Sequence, residues 1–213
     1  MSRPCKTSAT GGRALDVAGA TFGLVMLSPL LAALALLVRI TSSGPALFRT
    51  IRVGRDGRPF TLFKFRSMVK DAPALGPGIT AAEDPRITPL GKTMRRFKLD
   101  ELPQLLNVLK GDMSLVGPRP EDPRYVAHYS REQLAVLDAR PGMTSPASLY
   151  YRDEESHLAG EDWIDYYLRE IMPAKLAIDQ KYLKRRTAWS DICVILATVQ
   201  ALVGSRLKHD RPV

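Results

Sequence analysis

Two adjacent acids, Asp100 and Glu101, open a leucine-rich segment and stand among cations: Arg95, Arg96 and Lys98 precede them and Arg119 follows. Leu102, Leu105, Leu106 and Leu109 fall at helical spacing, and Gly111 ends the stripe with Lys110 in its last turn, where the helix dipole favours a cation. The simplest account makes Asp100 an N-cap, Glu101 a first-turn acid and Pro103 a tolerated early proline. It explains both acids, and such a pair is structural more often than catalytic. The cations supply a second reading. A helix N-terminus draws phosphate through its free N–H groups and its dipole, and the same features lower the pKa of a carboxylate beside it. An ionised Asp100 next to a phosphate can act as a nucleophile or as a ligand for a divalent cation. Mg²⁺ suits the second role, since it takes one or two carboxylates and completes its shell with phosphate oxygens and water. Neighbouring helical residues point roughly 100° apart, so the two acids need not share a role.

Arg119 lies between Pro118 and Pro120, whose rings fix φ. A guanidinium on so stiff a loop loses little entropy on gripping a phosphate, and its fork suits bidentate binding. An ordinary surface arginine is the plain alternative. Upstream, Lys64 and Arg66 alternate with Phe63 and Phe65, so a strand would set both cations on one face and both rings on the other. A half-buried strand with solvated cations fits equally.

Positioning these groups falls to the elements around them. A breaker cluster, Ser42-Ser43-Gly44-Pro45, precedes short strands over residues 46–49 and 59–66, with a turn at Arg55-Asp56-Gly57 between them. Residues 71–89, rich in Pro, Gly, Ala and Thr, read as a loop. Leu90, Met94 and Phe97 predict a helix with Lys92, Arg95, Arg96 and Lys98 on its other faces. A strand follows over 113–116, then helices over 121–129, 131–137, 161–183 and 190–203. The fold class is mixed α/β and helix-rich. The expected divisions are a basic segment at 1–13, a membrane helix at 14–41, a catalytic domain at 42–203 and a tail at 204–213.

Residues 17–38 carry no charge between Asp16 and Arg39, a run long enough to span a bilayer as a helix. A cleaved signal peptide would end near Ala33-Leu34-Ala35, but Leu36 and Leu37 continue the apolar run. A plain span must tolerate Pro29, which leaves the Val25 carbonyl without its helical partner; the Ser28 hydroxyl can compensate. Both flanks are basic: Arg3, Lys6 and Arg13 before the run, Arg39, Arg49, Arg52, Arg55 and Arg58 after it. Basic flanks prefer the cytoplasmic side, so the favoured reading is a re-entrant helix broken at Ser28-Pro29 with both ends on one face. Near the C-terminus, Ile192 to Val203 is apolar but too short to span, and it follows Lys181, Lys184, Arg185, Arg186 and Trp189. An amphipathic helix at the membrane interface and a helix packed on the domain fit it equally.

The 213 residues suit one domain plus a membrane element, and 45% hydrophobic content supports a packed core. A formal charge of +9 fits phosphate-rich partners such as nucleotides, nucleic acid or anionic lipid. Cys5 and Cys193 lie far apart without metal-ligand spacing, and His128, His157 and His209 are scattered.

The motifs Lys64-Phe65-Arg66-Ser67-Met68 and Leu99-Asp100-Glu101-Leu102-Pro103-Gln104-Leu105, the second continuing from Asn107 through Gly117-Pro118-Arg119-Pro120, closely resemble the bacterial sugar transferases. Members of that family are monotopic phosphoglycosyl transferases that begin glycoconjugate assembly on polyprenyl phosphate. Arg140-Pro141-Gly142-Met143-Thr144 and Ser28-Pro29 also match, and the likeness runs from about Arg13 to about Val203. The resemblance implies a re-entrant helix on the cytoplasmic face of the bacterial inner membrane and dependence on Mg²⁺, with Asp100 as metal ligand. It also implies a UDP-sugar donor, polyprenyl phosphate and membrane lipids as partners. Asp100 would attack the β-phosphate and release UMP, and polyprenyl phosphate would then take the sugar phosphate from the aspartyl intermediate. Glu101 would handle a proton or position the lipid phosphate. Arg95, Arg119 and Arg140 match the phosphate-binding arginines, and Lys64 and Arg66 the basic strand motif. The pattern departs at Ser145-Pro146-Ala147-Ser148, where many members carry a glycine and an aromatic residue; the donor sugar is therefore open. The chain is short and is expected to be a minimal catalytic form, and its sequence leaves homo-oligomerisation open.

Two other classes compete. A non-catalytic basic protein accounts for the charge, but no nucleic-acid partner is expected, because the chain has neither an aromatic platform nor a known basic motif. A hydrolase could use the same Asp100 and Mg²⁺, but it gives no reason for the membrane segment.

Overall fold

A computed structural model describes residues 10–76, 84–154 and 163–204. Arg3, Lys6, the start of the helix expected at 161 and the tail beyond 204 lie outside them. The chain opens with α1 (Thr10–Thr41), followed by an antiparallel hairpin of β1 (Leu47–Val53) and β2 (Pro59–Phe65) in the register Leu47↔Phe65 to Val53↔Pro59. Asp56 and Gly57 turn the hairpin at φ 57° and 73°. Next come α2 (Ala72–Leu75), α3 (Pro89–Arg96), a 3₁₀ turn at Leu99–Glu101, α4 (Gln104–Lys110) and β3 (Ser114–Val116). Then follow α5 (Pro123–Val126), a 3₁₀ segment at Gln133–Asp138, β4 (Gly142–Thr144) and α6 (Pro146–Tyr150). A helical run closes the described chain: α7 (Trp163–Tyr166), a π-helical turn at Tyr167–Ile171, α8 (Met172–Lys184) and α9 (Ala188–Gly204).

This is the expected helix-rich α/β mixture, with the hairpin, its turn, α3 and β3 near their predicted places. The helix expected over 121–129 shortens to α5, and 133–138 winds as 3₁₀. Three short elements escaped sequence reasoning, the first being α2, which lies inside the stretch read as a loop. β4 pairs in parallel with β3 but is only three residues long, too short to show alternation. α6 is capped by Ser145, whose hydroxyl accepts from the Ser148 N–H at 3.0 Å.

α1 lies along the rest of the molecule. Asp16, Ala20, Leu34 and Val38 are buried and Leu24, Leu27 and Leu31 half-buried, a stripe at helical spacing. Ala20 packs with Leu62, Leu105, Val108 and Met113, and Leu34 and Val38 pack with Phe65 and Met94. Polar contacts hold the N-terminal part. Arg13 donates to the carbonyls of Val108 (2.6 Å) and Leu109 (2.9 Å) at the end of α4, and Asp16 accepts from Ser114 Oγ (2.7 Å) and the Leu115 N–H (2.8 Å) of β3. At the other end, Arg66 donates to the carbonyls of Ser42 (2.8 Å) and Gly44 (3.0 Å). The outward face leaves Phe22, Val25, Met26, Leu36 and Ile40 exposed. By length and composition α1 is able to cross a membrane. Helical residues continue through the expected break, with Pro29 inside the helix. Ser28 Oγ donates to the Val25 carbonyl at 2.9 Å, the acceptor that Pro29 leaves without an N–H.

α9 packs on the domain, one of the two readings offered for it, and keeps apolar residues exposed. Asp191 and Val194 are buried and Thr198 meets Thr144 at 2.7 Å, while Trp189, Leu196 and Val199 are exposed.

Candidate active site

A cavity of about 260 Å³ opens between the hairpin, α3, the 3₁₀ turn and the loop around Arg119. Lys64, Arg66, Arg95, Asp100, Glu101 and Arg119 all line it. Arg140 is absent from its walls; its carbonyl instead packs against Gly117.

The fold brings Lys64 to the acids through Asn107. This fully buried side chain accepts from the Phe63 N–H (3.0 Å) and donates to the Thr61 carbonyl (2.7 Å). It thereby fixes α4 along the edge of β2.

Asp100 is not the N-cap that the leucine stripe predicts. α4 begins at Gln104 with Pro103 before it, and Asp100 sits one turn upstream, where the Glu101 N–H bonds to the Lys98 carbonyl at 3.2 Å. Its side chain is buried and Oδ1 has no hydrogen-bond partner. The expected direction of its pKa is corrected accordingly. Burial pushes the carboxyl above its ordinary value, against the pull of Lys64, Arg95 and Lys98, and the neighbouring Glu101 charge adds to the rise.

Glu101 is shifted the other way. Burial alone would raise it, but Arg119 and Lys64 hold it well below the usual carboxylate range. Arg119 grips it with both terminal nitrogens, Nη1 at 3.0 Å from Oε2 and Nη2 close on Oε1, and Lys64 Nζ lies 3.2 Å from Oε1. The fork expected for a phosphate is therefore closed on Glu101. Burial lowers the Lys64 pKa although Glu101 opposes it, whereas the Glu101 charge raises that of Arg119. Arg66 lines the cavity while Nη2 bonds to Ser42 and Gly44.

The walls are completed by Lys98, one of the cations noted beside the acids, and by residues that gave no local signal in the sequence. Lys98, in the left-handed region at φ 54°, turns the chain from α3 into the 3₁₀ turn. Tyr167 donates to Glu121 (2.6 Å) and Lys175 to Glu154 (2.6 Å). Those partners lie 46 and 21 residues away, beyond any local pattern. Gln104 also lines the cavity, buried and with Nε2 unpartnered.

No group of three or more His, Cys, Asp or Glu among the described residues could hold a metal by itself. Mg²⁺ needs no such cage, and the unpartnered Asp100 Oδ1 together with phosphate oxygens of a ligand fits its donor preference.

Comparison with known proteins follows the same lines. The profile of the family described as bacterial sugar transferase matches residues 7–205. The UDP-glucose:undecaprenyl-phosphate glucose-1-phosphate transferase of Caulobacter vibrioides is 38% identical over 196 residues, covering 90% of this chain and 69% of the relative. The UDP-N-acetylgalactosamine-undecaprenyl-phosphate N-acetylgalactosaminephosphotransferase of Aeromonas hydrophila is 34% identical over 194 residues, 90% of this chain and 43% of that protein. The undecaprenyl-phosphate galactose phosphotransferase of Salmonella typhimurium is 37% identical over 208 residues, 90% of this chain and 40% of that protein. The chain thus spans less than half the length of two of these three relatives. A match over nearly its whole length, with both motifs converging on one cavity, shows that the chain belongs to the bacterial sugar transferase family.

Proposed function

We propose that this chain transfers a sugar 1-phosphate from a UDP-sugar to polyprenyl phosphate, releasing UMP, through a covalent intermediate on Asp100. The observation that carries this reading is Asp100 Oδ1, a buried carboxylate oxygen without a hydrogen-bond partner in a cavity walled by Lys64, Arg95, Lys98 and Arg119. A carboxylate engaged as a helix cap is a poor nucleophile; one left unsatisfied beside cations that gather a diphosphate is a better one. In the first step an Asp100 oxygen bonds to the β-phosphorus and the bond from that phosphorus to the UMP oxygen breaks. In the second, a phosphate oxygen of the lipid bonds to the same phosphorus and Asp100 leaves as the carboxylate. The product is a lipid diphosphate sugar, the starting point for a membrane glycoconjugate.

Glu101 is held ionised with both oxygens engaged, which suits a residue that sets Lys64 and Arg119 in place rather than one that moves a proton. When bound, Mg²⁺ would be held by Asp100 and phosphate oxygens and would neutralise charge on the diphosphate. Contacts from Arg13 to Val38 against one domain, with the outer face of α1 apolar, support a re-entrant helix seated from one side of the membrane. In a bacterial cell that side is the cytoplasmic face of the inner membrane, where UDP-sugars are found.

The test is a screen of UMP release across UDP-sugars with Mg²⁺, with and without polyprenyl phosphate. Turnover that requires the lipid supports transfer; turnover of equal rate without it would indicate hydrolysis and overturn the reading.

A further inference from the structure

Among the described residues, three buried side-chain nitrogen or oxygen atoms lack a hydrogen-bond partner: Asp100 Oδ1, Gln104 Nε2 and Arg66 Nε. All three residues line the cavity. Native interiors rarely leave such atoms unmatched, and three gathered on one cavity mark a place built for a polar ligand.

Gln104 is the most telling of them. It is the first residue of α4 and only 1% exposed, so solvent does not satisfy its amide. It follows Asp100 by four residues, which along the 3₁₀ turn and the start of α4 sets both side chains toward the cavity. Their unpartnered atoms are a donor and an acceptor, yet they do not bond to each other. We propose that Gln104 Nε2 donates a hydrogen bond to a non-bridging oxygen of the phosphoryl group that Asp100 attacks. The inference rests on the transfer reading above.

The chemistry favours an amide here. Charge in phosphoryl transfer spreads over the equatorial oxygens of the transferring group. A fixed neutral donor aimed at one of them strengthens as that charge develops, without holding the bound diphosphate too tightly beforehand. Lys64 and Arg119 already supply positive charge and are tied to Glu101. Gln104 has no such tie.

The test compares Gln104→Met and Gln104→Glu with the unaltered full chain, reading kcat and KM for UMP release and the thermal midpoint. Met keeps length and shape but loses the donor. Its kcat should fall about 100-fold, with KM changed by less than about three-fold and the midpoint unchanged or higher, since an unmatched buried amide is gone. Glu replaces the donor with an acceptor and should lose at least as much kcat. Full kcat in Gln104→Met would overturn the inference. So would a midpoint lowered together with kcat in both variants, which would make Gln104 a packing residue. If the unaltered chain releases no UMP from any UDP-sugar in the presence of polyprenyl phosphate, the transfer reading fails and the inference falls with it.

Discussion

At the scale of single residues, the two adjacent acids are driven apart by their surroundings. Asp100 is raised by burial and Glu101 is lowered by Arg119 and Lys64. Asp100 must be ionised to attack, so the acid limb of kcat/KM should lie above the ordinary 3.8 of an aspartate. A limb below that value would mean a carboxylate stabilised as in a helix cap. Asp100→Asn removes a buried charge without removing a hydrogen bond to Oδ1. It should cut UMP release by at least about 10³-fold while leaving the thermal midpoint at neutral pH unchanged or higher. Glu101→Gln should behave oppositely in stability. It strips Lys64 and Arg119 of their counter-ion and should cost about 2 kcal/mol, less than the ~3–5 of a fully buried pair because 35% of the Arg119 side chain meets cavity solvent. Because the folded pKa of Glu101 lies below the ordinary 4.5, its stabilisation is present above that pH and is lost as the pH falls through the folded value. The stability gap between the unaltered chain and Glu101→Gln should therefore be constant near neutrality and close in acid, which urea titrations at several pH values would reveal.

At the scale of elements, the site depends on how α3 and α4 are seated. Gly91 on α3 lies against the Ser67 backbone so closely that an added Cβ would stand 1.9 Å from the Ser67 carbonyl oxygen. Gly91→Ala should displace α3 and with it Arg95, costing about 1–3 kcal/mol in urea unfolding and lowering UMP release. Wild-type values for both would show that α3 tolerates the shift. Much of this framework was legible beforehand. Phe63 and Phe65 alternating with Lys64 and Arg66 marked β2, although its burial does not alternate, and Leu90 and Met94 marked α3, while Phe97 of the same stripe lies past its end and is exposed. The leucine stripe marked α4 but misplaced its start: Pro103 and the left-handed Lys98 insert a 3₁₀ turn, so Asp100 became a buried, unpaired acid instead of a cap. The motif located the candidate nucleophile while its local pattern gave the wrong environment. Pro118 and Pro120 announced a stiff Arg119, but its partner Glu101 lies 18 residues away. Lys175 and Tyr167 were unreadable for the same reason.

At the scale of the whole molecule, α1 is the element long and apolar enough to join the site to a membrane. One face carries Asp16, Ala20, Leu34 and Val38 into the domain, and the other leaves Phe22, Val25, Met26 and Ile40 bare. Contacts that hold α1 to one domain near both ends support the proposed re-entrant seating, with both ends on one side of the bilayer. Ala14 and Arg39, both exposed near the ends of α1, provide the check. With Cys5 and Cys193 replaced by serine, Ala14→Cys and Arg39→Cys should both resist a membrane-impermeant maleimide in intact bacterial cells and both react in inverted vesicles. Labelling of one and not the other in intact cells would establish a plain span.

The central claim, that Asp100 carries the sugar phosphate, is tested most directly by intact-protein mass spectrometry and UMP measurement on the purified chain mixed with a turned-over UDP-sugar and Mg²⁺, without lipid. The expected result is a burst approaching one UMP per protein, a mass increase equal to the UDP-sugar less UMP, its absence in Asp100→Asn, and its loss when polyprenyl phosphate is added. UMP release that begins only when the lipid is present, with no adduct at any time, would contradict a covalent intermediate and show direct transfer from donor to acceptor.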